Sequence, residues 1–139
     1  MKKTCYIYAR TANALQKEAK RGASSSINKQ INDCSKYAKK KNFKILGIFK
    51  DIGKGGHSLR RKELINLFAL SRVKPATAVI ISDTSRISRN FTNTVNILSR
   101  LSRHGIKLIS LKEGVLSMDA YLINVLNPKI LDTERGRSN

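Results

Sequence analysis

Three arginines able to grip phosphate, and two carboxylates beside them, follow the ends of apolar runs in this sequence. Arg10 closes "TCYIYAR", Asp51 closes "FKILGIFKD", and Asp83, Arg86 and Arg89 follow "TAVII". Arginine suits a phosphodiester because its planar fork donates parallel hydrogen bonds and keeps its charge. Phosphoryl transfer builds charge on the equatorial oxygens, and fixed guanidinium groups stabilise that charge without a metal. Arg86 and Arg89 stand three apart in "SRISRN". If that segment has begun to coil, both point to one side. The plain alternative is a set of solvated surface arginines, and it suffices for Arg89 taken alone.

The elements that would position these residues alternate. "TCYIY" (Thr4 to Tyr8) predicts a short buried strand, followed by a polar loop from Ala9 to about Ser25. "SINKQINDCSKYAKKKN" predicts a helix with Ile27, Ile31, Cys34, Tyr37 and Ala38 on one face, capped by a serine of the run Ser24 to Ser26. Its basic end, Lys39 to Lys41, suits the negative end of a helix dipole. "FKILGIFKD" is a second strand, "IGKGGHSLR" a glycine-rich loop, and "RKELINLFALSRV" a helix with Leu64, Leu67 and Phe68 inward. "TAVIISD" reads as a central parallel strand covered on both faces. "RNFTNTVNILSRLSRHG" is a helix with Phe91, Val95, Leu98 and Leu101 inward and Gly105 as terminator, and "IKLISL" is a fourth strand. "SMDAYLINVL" starts a last helix that Pro128 should stop.

This alternation implies an α/β fold of three layers, a mostly parallel central sheet with helices on both faces. In such sheets the functional site lies beyond the carboxyl ends of the strands. That rule gathers Arg10, Asp51, Asp83, Arg86 and Arg89 at one rim.

Composition narrows the partner. Twenty-eight Lys and Arg against nine Asp and Glu leave a net charge of +19. Such an excess points to a phosphate-rich partner, nucleic acid ahead of an anionic membrane surface, because each neutralised phosphate releases condensed counterions. The few carboxylates are scattered, with no D-x-D pair, and His57 and His104 have no partner at ligand spacing. No metal site and no cofactor is expected, which argues against a two-metal nuclease or polymerase. Cys5 and Cys34 read as buried free thiols of a reducing compartment. Apolar runs are too short for a membrane span and the start lacks a signal-peptide core, so the expected location is the cytoplasm, away from membranes.

"YARTANALQ", "SINKQ", "FKDIGKGG", "RRKELINLF" and "TSRISRN" come in an order that resembles the catalytic domain of the serine site-specific recombinases, the resolvase and invertase family. The likeness covers roughly residues 4 to 115. It implies a metal-independent enzyme that cuts DNA through a phosphoserine link to the 5′ end and then exchanges strands. It also implies a homodimer or tetramer in the full-length protein. Carried over by position, Arg10 would hold the scissile phosphate, with Tyr8 beside it. Gln16 and Gln30 match the family's positioning glutamines. Asp51 would orient an arginine or handle a proton, and Arg61 opens the second helix. Arg86 and Arg89 would stabilise the transition state. DNA contacts would come from Arg10, Lys54, Arg61, Lys62, Arg86 and Arg89.

Two departures stand out. Ser85 occupies the place of the family's acid before Arg86, as it does in some members. Ala12 falls on the nucleophilic serine, and alanine has no atom that attacks phosphorus. An engineered Ser→Ala change and a natural loss of cleavage both fit. The resemblance therefore implies a recombinase catalytic domain over residues 1–120 that is inactive as written. Residues 121–139 would form the start of a C-terminal helix and a frayed tail, with no DNA-binding domain. The alternative is a non-catalytic recombinase-like regulator that binds DNA or a partner. A nucleotide-binding α/β domain fits less well, because "GKGG" lacks the Lys-Ser or Lys-Thr of a P-loop.

Overall fold

The computed structural model describes residues 2–11, 24–53 and 61–116. Strand β1 (Lys3–Thr11) leads to helix α1 (Ser24–Lys40), strand β2 (Phe43–Ile52), helix α2 (Lys62–Val73) and strand β3 (Ala78–Ile81). A 3₁₀ turn (Thr84–Arg86), helix α3 (Phe91–Arg103) and strands β4 (Lys107–Ser110) and β5 (Gly114–Leu116) follow. The sheet order is β2-β1-β3-β4-β5. β1, β2, β3 and β4 pair in parallel, and β5 closes the edge antiparallel to β4.

This order dictates the layers. From β1 the chain crosses to β2 on one side, then returns past β1 to β3 and on to β4 on the other. Crossovers of one hand must therefore put α1 on one face and α2 and α3 on the opposite face. The packing agrees. Cys5, Ile7, Ala78, Ile80 and Ile109 pack with Cys34 and Ala38 of α1. Tyr6, Tyr8, Val79, Ile81 and Leu108 pack with Leu64 and Leu67 of α2 and Leu98 and Leu101 of α3. β3 is buried along its whole length, as its unbroken apolar run predicts.

Several boundaries differ from the sequence reading. β1 runs on to Thr11 rather than giving way to a loop at Ala9, because its last residues pair with β2 through Thr11↔Ile52. β3 stops at Ile81, and α3 begins at Phe91 with Asn90 as its cap, the Asn90 side chain accepting from the Asn93 N–H. α3 ends before Gly105, whose φ of 70° takes the left-handed turn that suits glycine. β5 was not anticipated; it follows a tight turn at Gly114, where φ is 89°. The serine cap of α1, the inward placement of Phe91 and the segment from Ser117 onward lie outside what the structure describes.

One irregularity matters for the site. The β1–β2 register slips between Cys5 and Tyr6, from Cys5↔Ile45 to Tyr6↔Gly47, leaving Leu46 as an extra residue. Before the slip, Phe43 and Ile45 face α1; after it, Leu46 and Phe49 face α2. A side chain at Gly47 would begin 3.2 Å from Cε2 of Phe49, so the bulge also keeps room for the edge-on pair of Tyr6 and Phe49.

Candidate functional site

The switch point of this sheet lies between the carboxyl ends of β1 and β3, where successive crossovers diverge. β1–β3 pairing is complete by Ile7↔Ile80, yet β1 continues to Thr11. The backbone of Arg10 therefore needs partners on the β3 side. Gln30 of α1 supplies them. Its Oε1 accepts from the Arg10 N–H at 3.0 Å, and its Nε2 donates to the Arg10 carbonyl at 3.0 Å. The amide thus stands in for a missing strand, and Gln30 is only 4% exposed.

A second donor reaches the same carbonyl. Nη1 of Arg86 lies 3.0 Å from the Arg10 oxygen, and Nε of Arg86 lies 3.2 Å from Oδ2 of Asp83. Asp83 also caps the 3₁₀ turn: its Oδ1 accepts from the Ser85 N–H at 3.0 Å and from the Ser85 hydroxyl, and its Oδ2 from the Ser82 hydroxyl. Burial pushes the Asp83 carboxyl up, but hydrogen bonds from Ser85 and Ser82 and the Arg86 charge bring it below its ordinary value. From the next strand pair, Glu113 accepts from the Thr84 N–H at 3.1 Å, which ties the β4–β5 turn to this loop.

Asp51 organises the third side. It lies opposite Arg10 in the β1–β2 register, on the face toward α2. Its carboxylate accepts from the Tyr8 hydroxyl at 2.8 Å, from the Glu63 N–H at 3.0 Å and from the Leu64 N–H at 3.1 Å. Arg61, at the cap position of α2, makes no capping bond with its own side chain, so Asp51 satisfies the first turn from across the sheet. The Arg61 side chain is instead free to reach the Ile87 carbonyl through Nη1. Burial lowers the Arg61 pKa, and the neighbouring Arg10 charge adds to this while Tyr8 and Asp51 oppose it; a guanidinium remains charged regardless. Burial pushes the Tyr8 phenol well up, reinforced by the Asp51 carboxylate.

Among the expected site residues, then, Tyr8, Arg10, Gln30, Asp51, Arg61 and Arg86 meet at one sheet edge. Lys62 is exposed at the start of α2, and Arg89 is exposed in the bend before α3. Arg86 belongs to the 3₁₀ turn and Arg89 precedes the helix, so the shared helical face expected for them does not form. Ala12, Gln16 and Lys54 lie outside the described residues. Asp83 was noticed in the sequence as a nearby acid, but its grip on Arg86 was not. The signal was present in "SDTSR", where an aspartate two before a serine predicts a turn that folds the following arginine back. Glu113 carried no such signal.

Chemically, this edge presents the guanidinium groups of Arg61 and Arg86 tied to carbonyl oxygens, with Arg86 tied to a carboxylate as well. Among the described residues, no group of three or more His, Cys, Asp or Glu could hold a metal ion. Cys5 and Cys34 are buried free thiols, away from this chemistry, and burial pushes them up to about 11 and about 12.

Comparison with known proteins bears on the family and the fold. The family model described as "Resolvase, N terminal domain" matches residues 5–126. A resolvase family site-specific recombinase from Streptococcus pneumoniae is 25% identical, with a TM-score of 0.73 over 98% of this chain and 90% of that one. The C-terminal catalytic domain of ISC1926 TnpA, an IS607-like serine recombinase, is 28% identical, with a TM-score of 0.65 over 88% of this chain and 77% of that one. The N-terminal catalytic domain of TP901-1 integrase shares the fold, at 23% identity and a TM-score of 0.71 over 99% of this chain and all of that one. No curated protein matches the sequence significantly. With the family model spanning most of the chain, the protein belongs to the resolvase family and carries the catalytic-domain fold of the serine recombinases.

Proposed function

We propose that this chain is the DNA-gripping catalytic module of a serine site-specific recombinase, and that as written it holds the scissile phosphate without cutting it. The observation that carries this reading is the shared carbonyl of Arg10. One oxygen ties β1, Gln30 of α1 and Arg86 of the loop after β3 together. Such tethering fixes the Arg86 guanidinium before any substrate arrives, and preorganised charge stabilises a transition state without reorganisation cost. In the reaction proposed for the family position, a serine oxygen attacks phosphorus, the bond to the 3′ oxygen breaks, and the 5′ phosphate stays on the protein. Arg10 and Arg86 would face the developing charge, with Arg61 behind them and Arg89 and Lys62 on flanking phosphates. Residues 1–120 would make up this module.

Ala12 removes the attacking oxygen. The expected outcome of Ala12→Ser is a covalent adduct on a nicked suicide duplex, read as an intact-protein mass increase; the unaltered chain gives none. Ala12 equally favours a second reading, a recombinase-like regulator that pairs with DNA or with an active relative. Under that reading, binding persists and Ala12→Ser yields no adduct even when synapsis is supported.

A further inference from the structure

The opposite edge of the sheet carries a second charge feature. All three helices run back against the parallel strands, so their carboxyl ends gather where those strands begin. The last turns there contain Lys39 and Lys40 of α1, Arg72 of α2, and Arg100 and Arg103 of α3. The helix dipole accounts for these residues without any ligand. It does not account for the lysines on the strands themselves. Lys3 opens β1, Lys44 lies at the start of β2 and Lys107 opens β4. They fall nearly level, since Lys3 pairs with Phe43, Thr4 with Lys44, and Ala78 of β3 with Lys107. Lys3, Lys40, Lys41, Lys44, Lys74 and Lys107 are all exposed.

Carboxylates are absent from this edge among the described residues. Asp51, Glu63, Asp83 and Glu113 sit at the carboxyl ends of the strands or in the loops there, and Asp33 lies in the middle of α1, paired with Lys29 at 3.3 Å. The arginine rim is therefore a mixed-charge site with Arg61 and Arg86 tied down, whereas among the described residues the charged side chains of the far edge are all basic. Helix N-termini favour acids at the rim, as with Asp51 and Glu63 at the start of α2 and Asp83 at the 3₁₀ turn. What the dipole leaves unexplained at the far edge is the level row of strand lysines.

We propose that this edge is a second binding surface for the phosphate backbone of double-stranded DNA, engaging a segment other than the one at the rim. The choice of DNA rests on the family's action on DNA, and the two-segment reading rests on the proposed grip at the rim. Eight residue steps along β1, from Lys3 to Thr11, separate the two edges by about 26 Å. A duplex stiff over about 150 base pairs does not wrap so small a block without a large bending cost. Contacts at both edges thus join two segments. Across the sheet, the three strand spacings from β2 to β4 span about 14 Å, enough to meet several phosphates at about one charge per 1.7 Å of duplex axis.

The test is a salt series of binding by the full chain to a short duplex, against a variant with Lys40→Gln, Lys41→Gln, Lys44→Gln and Lys107→Gln together. With about 0.9 in slope per phosphate contact, the variant's log–log salt slope should fall by about 2–3, and its affinity near 0.1 M salt by about tenfold or more. Circular dichroism and thermal unfolding should match the parent, because these side chains are exposed. In a second assay, protein on an immobilised duplex should retain a labelled free duplex, and the variant should not. An unchanged slope overturns the proposal, as does bridging that survives in the variant. So does retention on phosphatidylserine vesicles that duplex DNA fails to displace. A failed Ala12→Ser adduct together with a reduced slope removes the cleavage reading and leaves this edge standing; an adduct with an unchanged slope does the reverse.

Discussion

Replacing Asp51 with alanine should cost far more than a surface carboxylate does. Two of its three bonds go to first-turn N–H groups of α2, at 3.0 and 3.1 Å. Losing a cap of this kind costs about 1 kcal/mol. The third partner is the hydroxyl of Tyr8, whose side chain is fully buried. Leaving a buried hydroxyl without an acceptor adds about 1–3 kcal/mol. The sum is about 3 kcal/mol, which for a domain of this size lowers the melting temperature by about 10 °C. The two terms are separable. Tyr8→Phe removes the donor, so Asp51→Ala in that background should cost only about the cap, 1 kcal/mol. A double-mutant cycle by urea unfolding therefore expects a coupling equal to the hydroxyl term, about 1–3 kcal/mol, between Tyr8 and Asp51. Strict additivity, or an Asp51→Ala protein within about 0.5 kcal/mol of the parent, would refute the assignment of Asp51 as the anchor of α2.

Two other perturbations follow from the same geometry. Gln30→Ala should strip the Arg10 backbone of its strand substitute, costing about 2–3 kcal/mol and speeding hydrogen exchange at the Arg10 amide more than at Ile7. An unchanged Arg10 exchange rate with lowered global stability would place the loss elsewhere. Asp83 supplies a pH signature. Its carboxyl is lowered on folding, so its contribution is fully present above the ordinary carboxylate range and is lost as pH falls through the folded value. Asp83→Asn should therefore flatten the acid limb of stability against pH below about 4 and leave the neutral-to-basic limb parallel to the parent. A parallel shift at every pH would mean that Asp83 acts through its turn geometry alone.

How much of this was legible beforehand depends on the range of each determinant. Strands and helices announced themselves through apolar runs and helical periodicity, as in Ile27, Cys34 and Ala38 on α1. The rim was legible too, because parallel sheets place the ends of β1, β2 and β3 together whatever their loops do. Bonds between a side chain and a distant backbone were not legible. Nothing in "SINKQ" says that Gln30 will pair with both backbone groups of a residue twenty positions earlier; that follows only from β3 ending short of β1. Likewise Asp83 serves Arg86 from three residues away, though the resemblance looked for an acid at Ser85. In this chain the ion pair with the arginine is made by Asp83 instead.

The least legible determinant is the extra residue at Leu46, and the site depends on it. Side chains alternate along a strand, so a regular β2 would place Phe43, Ile45, Gly47, Phe49 and Asp51 on one face. Phe43 and Ile45 pack toward α1. Asp51 would then point toward α1 as well, on the face away from Tyr8 and the start of α2. The bulge reverses the parity after Ile45, which brings Phe49 against Tyr6 and Asp51 beneath the first turn of α2. That turn holds Arg61 where its guanidinium meets the loop after β3. A single inserted residue at the far end of an edge strand thus decides which side of the sheet receives the carboxylate. With it goes the placement of an arginine ten positions later.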